Sequence, residues 1–219
     1  IEAEKMLVGM ARLTQRAEKI SNMNDFMKLY NKPATDKLLE ELVKLPHPTL
    51  QKFGVINIAI VGASRRFLAQ ITRHQNEVKF MSGSLQYSDY SDDAQFVVPY
   101  EIMVADNIRE QCSKNNTGNL DAAHAKSVIT DYLASCKQSM ESYKKLAAQI
   151  GHDAAGYAMP QGLRNVLVIS ATPFQWKHMI SQRVCRRNTL ETQYVMLRCW
   201  EELTEYSTKF KNCGPACMQ

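Results

Sequence analysis

Arg73 and His74 stand side by side, with Gln70 three residues earlier. A guanidinium next to an imidazole suits a ligand that presents a phosphate and a ring edge together. Further along, Ser82-Gly83-Ser84-Leu85-Gln86 offers hydroxyls, an amide and backbone N–H groups of the kind that hold a nucleotide phosphate. Arg183 supplies a planar positive fork far away in sequence. Plainer readings stand beside these. Arg73–His74 fits a partly buried helix end with a local salt bridge, and the groups Arg65, Arg66, Arg73 and Arg183, Arg186, Arg187 fit solvated helix faces. On the residues alone both remain open.

Composition narrows the partners. The net charge is +5, from 27 Lys+Arg against 22 Asp+Glu, a mild excess without the basic stripe and interleaved aromatics of a nucleic-acid coat. Small anions are the better match for two local arginine groups. The 219 residues, 45% of them hydrophobic, suffice for one domain with its own core. No signal peptide or long apolar run is visible, so a cytoplasmic protein with no membrane partner is expected. Among six cysteines, Cys136 and Cys199 sit in apolar helical patterns as small hydrophobes, while Cys112 and Cys185 have no assigned role. Cys213 and Cys217 form a lone C-x-x-x-C without the second pair a zinc site needs, so no metal is expected.

The elements that must position these groups follow from periodicity. Helices are predicted over residues 3–20, 35–45, 65–75, 121–150 and 173–182, and from 189 onward. Ser64 is the expected cap of the third, with Arg66, Gln70, Arg73 and His74 sharing its polar side. Residues 53–61 read as a strand covered on both faces, residues 78–87 as an irregular strand or loop, and residues 164–171 as another strand. The seam Ile129, Leu133, Cys136, Met140, Tyr143, Ala147 and Ile150 predicts packing in a bundle or against a partner. The last helix reads as a core helix with a narrow solvent stripe, Glu191 completing a capping box. Neither G-x-G-x-x-G nor a P-loop, H-E-x-x-H or G-x-S-x-G occurs, so anion binding must rest on arginines and helix ends.

One resemblance spans most of the chain. Ser64-Arg65 leads to Gln70-Ile-Thr-Arg73-His74 and then to a loop carrying Ser84 and Tyr87. This is similar to the S-R, Q-x-x-R-H-R and S-x-R-Y signature of flavin-dependent thymidylate synthases, the ThyX family. Ala11-Arg-Leu13, His47-Pro-Thr49 and Met179-Ile-Ser-Gln-Arg183 through Glu191 resemble three further blocks of that family, in the same order. The resemblance implies an α+β, ThyX-like fold, a single domain with a small antiparallel or mixed sheet, flanking helices and a helical elaboration over about 105–150. It implies a flavoprotein methyltransferase acting at C5 of a uracil nucleotide, converting dUMP to dTMP with FAD, NADPH and 5,10-methylenetetrahydrofolate. The nucleotide would be held by Gln70, Arg73, Ser82, Gly83, Ser84, Leu85, Gln86 and Arg183, with Arg183 stabilising the negative uracil. The cofactor would be held by His47, Thr49, Arg73, His74, Gln75, Thr172 and His178. A homotetramer with shared active sites is implied.

The chain departs from the family pattern at several cations. Gln75 stands where R-H-R ends, Gln86 replaces the S-x-R arginine, Gly156 falls near the arginine of A-R-x-x-L-P, and Phe174 replaces that of N-A-R. Each lost phosphate contact of this kind costs on the order of 1.5–3 kcal/mol. The departures leave room for two other outcomes: a ThyX-like paralogue with an altered reaction (methylation of UMP or hydroxymethylation of dUMP), or an inactive nucleotide- or flavin-binding homologue.

Overall fold

The structure, a computed structural model, describes residues 2–44, 52–92, 94–105 and 120–218. The N-terminal helices are α1 (Glu2–Gln15), α2 (Met23–Asn31) and α3 (Asp36–Lys44). Leu7, Val8 and Ala11 of α1 bury against Leu39 and Leu42 of α3, a small apolar cluster of its own. α2 is absent from the periodicity-based expectation; it starts at Asn22, whose side chain accepts from Asp25 N, and buries no residue completely. Its apolar residues Met23, Phe26, Met27 and Tyr30 do fall at i, i+3, i+4, i+7, a short stripe that the periodicity reading passes over.

A three-stranded sheet follows, built from β1 (Ile56–Ser64), β2 (Val78–Ser82) and β3 (Arg164–Ala171) in the order β1-β3-β2. Both pairings are antiparallel. On β3 the pattern alternates strictly, with Asn165, Leu167, Ile169 and Ala171 buried. β1 was expected to be covered on both faces, and it is not. Ile60 points into the core while Asn57, Ala59 and Val61 face outward, because among the described residues helices cover only one side of the sheet. The opposite face carries Val61 opposite Val166, and Ala59, Val168 and Met81 in one cross-strand row. A bulge interrupts β1 between Val61 and Ala63. There Gly62 has φ +98 and lies against the Arg164 side chain, a backbone state that a side chain would strain.

The covered face packs against α4 (Arg65–Ile71), α8 (Pro173–Arg183) and α9 (Leu190–Tyr206). Phe67, Ile71, Trp176, Met179, Ile180, Met196 and Leu203 are at most 1% exposed, so this is the main core. Truncating a side chain such as Trp176 to alanine there would cost about 3–5 kcal/mol. A helical segment α5 (described over residues 100–105), the long α6 (Leu120–Ile150) and the single-turn α7 (His152–Ala155) are further α-helices among the described residues. Of the α6 seam, Cys136 and Tyr143 are buried, but Leu133 and Ile150 are more than half exposed. Its packing within the chain is therefore partial.

Two expectations about the site-bearing helices change. α4 stops at Ile71 rather than continuing to Gln75. The Thr72 hydroxyl donates to Leu68 O and His74 N bonds to Ile71 O, so the chain turns off the helix axis. Arg73 and His74 consequently lie in the turn after the helix. α9 is less enclosed than expected: Leu190, Tyr194 and Leu197 are each at least 40% exposed, and its buried line is Thr192, Met196, Cys199 and Leu203. Its cap is Thr189, which accepts from Thr192 N, and Glu191 makes no capping box.

Candidate active site

Arg183 ends α8, and its half-buried guanidinium joins three segments. Nε donates to His74 Nε2 at 2.8 Å, Nη2 to Gln70 O at 2.9 Å, and Nη1 to Asn188 Oδ1 at 3.2 Å. Asn188 is itself fixed by Nδ2 bonds to Gln182 O and Cys185 O. Three of the five guanidinium N–H groups are thus used, leaving one on each terminal nitrogen. None of the three partners is a carboxylate. Arg73 lies close enough to add like-charge repulsion, and burial followed by Arg73 holds the Arg183 pKa below its ordinary value. A guanidinium with neutral partners and a second cation close by favours an anion.

His74 is the acceptor in this cluster, which fixes a proton-free Nε2 when Arg183 is in place. Burial first, then Arg183 and His178, lower its pKa to about 4, so the ring is neutral near pH 7. The His178 ring meets it edge-on, with centroids 5.7 Å apart. Gln70 is oriented from the other side: its Oε1 accepts from Thr189 Oγ1 at 3.2 Å and from Thr192 Oγ1 at 2.5 Å.

Below the cluster, Glu191 locks α9 to the start of α4. Its carboxylate accepts from Ser64 N at 2.7 Å and Ser64 Oγ at 2.6 Å, while Ser64 Oγ also caps α4 through Phe67 N. Sequence reasoning gave Glu191 to the solvent stripe and a capping box. The available signal was its place, with Ser64, in two matched blocks.

The other expected residues are arranged as follows. Ser82 ends β2 opposite Leu167, and Gly83 N donates to Val166 O. Ser84 Oγ accepts from Gln86 N, which turns the loop tightly; Gln86 and Tyr87 are exposed. Leu85 packs directly over Gly156, where an added Cβ would lie 3.3 Å from Leu85 Cβ. The loop is pinned to α6 by Tyr90 N donating to the buried Tyr143 hydroxyl. A groove of about 400 Å³ beside it is lined by Gly83, Tyr90, Gln95, Arg164 and Asn165. Gln75 is exposed. Thr172 is buried, and its hydroxyl caps α8 by accepting from Gln175 N. His47 and Thr49 lie outside the described residues. The structure thus brings Gln70, Arg73, His74, His178 and Arg183 together and gives Ser82 through Gln86 a separate, well-anchored loop.

The family profile of thymidylate synthase complementing proteins, Thy1, matches residues 1–207. The chain belongs to this family, also known as ThyX. No curated protein matches it. The Thy1 match takes in every residue of the Arg183 cluster, Glu191 and the Ser84 loop. Membership makes the protein thymidylate synthase-like at the family level, a class that is generally flavin-dependent. The α+β architecture with a small antiparallel sheet agrees with it. No helix among the described residues is long and apolar enough to cross a membrane.

Proposed function

We propose that this Thy1 protein methylates C5 of a uracil nucleotide, of the dUMP to dTMP type. The observation that carries this is the Arg183 cluster: two neighbouring guanidiniums, neutral hydrogen-bond partners and a neutral imidazole. Such a site fits a ring that becomes negative. Arg183 would direct its two remaining N–H groups to the O2 or N3 edge of the uracil and stabilise charge as C5 attacks its carbon donor. Gln70 and the Ser82–Gln86 loop would orient the nucleotide, Ser84 and the backbone meeting its phosphate.

The donor set also fits FAD. Arg73 offers a cation, and His74 and His178 offer ring faces and edges; His47, Thr49, Gln75 and Thr172 complete the proposed cofactor residues. When bound, FAD would supply the hydride chemistry, with NADPH as reductant and 5,10-methylenetetrahydrofolate as one-carbon donor. The protein residues would position the rings, exclude water and hold charge. The exposed apolar face of the sheet and the open α6 seam support a homotetramer with shared active sites. A cytoplasmic location accords with this chemistry.

The direct test is tritium release from C5-labelled dUMP by flavin-loaded protein in the presence of NADPH and methylenetetrahydrofolate. Release with formation of dTMP is expected. A yellow, flavin-bound protein that releases no tritium from dUMP or UMP would overturn the methylation and favour the inactive binding homologue. Gly156 under Leu85 is the specific observation that favours that second reading, because apolar packing lies near where the resemblance expects a family arginine.

A further inference from the structure

Gln86 stands where the family resemblance expects an arginine, so a phosphate at the Ser82–Gln86 loop needs a positive partner from elsewhere. Arg164, at the start of β3, lies beside that loop with its side chain against the bulge of β1. Gly62 makes room for it: a Cβ there would stand 3.3 Å from Arg164 Nε and 3.8 Å from Nη2. Arg164 Nη1 donates to Gln95 Oε1, and Arg164 N donates to Gln95 O at 2.8 Å. Among the described residues Gln95 Oε1 is the one acceptor of this exposed guanidinium, so its charge is held in place without being neutralised. The groove of about 400 Å³ that Arg164 lines is shared with Gly83, Ser88, Tyr90 and Asn165, and no acidic residue lines it. Asp89 is engaged elsewhere: its Oδ1 accepts from Ser91 N at 2.8 Å and lies 3.5 Å from His152 Nδ1. Asn165 is 5% exposed; its Oδ1 accepts from Val166 N at 2.9 Å, whereas its Nδ2 is buried with no hydrogen-bond partner among the described residues. A buried amide donor left unmet is costly, so an unpaired Nδ2 in the wall of a groove marks a place for a ligand oxygen. Gly83 lets the loop backbone approach this amide, since a Cβ would stand 3.0 Å from Asn165 Oδ1 and 3.6 Å from the Tyr90 hydroxyl oxygen.

We propose that this groove holds the phosphate of the bound nucleotide, with Arg164 as the cation that stands in for the arginine missing at position 86. The proposal rests on the uracil-nucleotide reading given above and adds the residue that recognises the charged end of that ligand. The donors fit a phosphate monoester: a planar positive fork, an unpaired amide N–H and the hydroxyls of Ser88 and Tyr90. The loop and the strand that carry them are tied together. Gly83 N donates to Val166 O at 3.0 Å, and Ser88 N donates to Ser84 O at 3.2 Å. Arg164 therefore separates nucleotide from nucleoside, while the ring chemistry stays with Arg183.

The test is calorimetry on the folded chain with dUMP, deoxyuridine and inorganic phosphate as separate probes. Wild type should bind dUMP more tightly than deoxyuridine. Arg164→Gln should weaken dUMP binding by about 10–100-fold, the range for losing hydrogen bonds to a charged group, and leave deoxyuridine unchanged. Arg164→Lys should recover part of the loss, since it restores the charge without the fork. Arg164 is exposed, so both variants should melt with wild type. A preference for dUMP over deoxyuridine that survives in Arg164→Gln overturns the proposal, because the phosphate then rests elsewhere. An equal loss for deoxyuridine, or a wild type that binds the two equally well, overturns it too. If neither binds, the uracil reading fails and inorganic phosphate decides the groove. Binding that Arg164→Gln abolishes then keeps it as a phosphate site, and any other result removes it.

Discussion

The two halves of the candidate site have been treated differently by this sequence. Around Arg183 polar contacts converge: Gln70 of α4, His74 in the turn after it and Asn188 before α9 hold one guanidinium, and Glu191 ties α9 to Ser64 beneath it. Around the Ser82–Gln86 loop the packing is apolar, Leu85 covering Gly156 near where the sequence resemblance expects a cation. A charged cluster held by neutral partners has a continuing electrostatic cost, since Arg73 and Arg183 repel. Structure alone gives no reason to keep it. The loop side, by contrast, has settled into ordinary packing. On the proposed function, the contrast sets the ring chemistry at the Arg183 cluster and an altered phosphate contact at the Ser82–Gln86 loop.

The largest expected effect is at the intact end. Arg183→Ala should lower kcat for tritium release by about 10²–10³-fold, the range for removing one donor that stabilises developing charge. Arg183→Lys keeps the charge but loses the fork, so it should recover only part of the rate. An equal loss from Gln86→Ala would break the comparison, because it would make the phosphate end as important as the ring end.

Next is the support under the cluster. Glu191→Ala removes an acceptor shared by the Ser64 amide and hydroxyl and should destabilise the fold by roughly 2–3 kcal/mol, read from the urea midpoint. Glu191→Gln keeps one acceptor oxygen and should lose less. If Glu191→Ala unfolds at the wild-type midpoint, α9 is not braced through this contact.

The loop side can be tested by putting a cation back. Gly156→Arg forces a side chain against Leu85 and should cost about 1–3 kcal/mol by overpacking. Adding Leu85→Ala should recover part of that cost, a non-additive pair in a double-mutant cycle. Gln86 is exposed, so Gln86→Arg should fold normally and tighten dUMP binding by about tenfold, measured by calorimetry. Unchanged affinity would mean that the phosphate does not rest on this loop.

How far the sequence reached differs between the same two regions. β3, the cap Ser64 and nearly the whole span of α8 were legible, β3 as a short apolar run and Ser64 as a capping residue, whereas the cap Thr172 was expected only as a cofactor contact. The sidedness of β1 was not legible, because Ala59 and Val61 on the uncovered face are as apolar as a buried pattern requires. α4 was overextended because Arg73 and His74 continue its polar spacing, and spacing does not register the Thr72 hydroxyl bond that ends the helix. Motifs placed Arg73, His74 and Arg183 in one list, but only the tertiary fold shows that Arg183 donates to His74. The Leu85–Gly156 contact joins segments seventy residues apart and leaves no local trace in either.

The smallest effect sharpens the ring-binding side by pH. His74 has a folded pKa of about 4 against an ordinary value of 6.5. Between those values the unfolded chain binds the proton more readily, so stability is full above about pH 6.5 and falls as pH drops toward 4. The physical event is loss of the Arg183 Nε to His74 Nε2 bond, replaced by a cation facing a cation. Because the ring is only half-buried, solvent screening should reduce the effect to on the order of 1 kcal/mol. Urea unfolding at pH 5 and pH 7 measures it, with His74→Gln as the comparison, since a glutamine amide can accept from Arg183 without titrating. Wild type should lose more stability than His74→Gln between the two pH values. The same pH loss in both proteins would place the titrating group elsewhere and would remove the neutral imidazole from the account of how Arg183 is held.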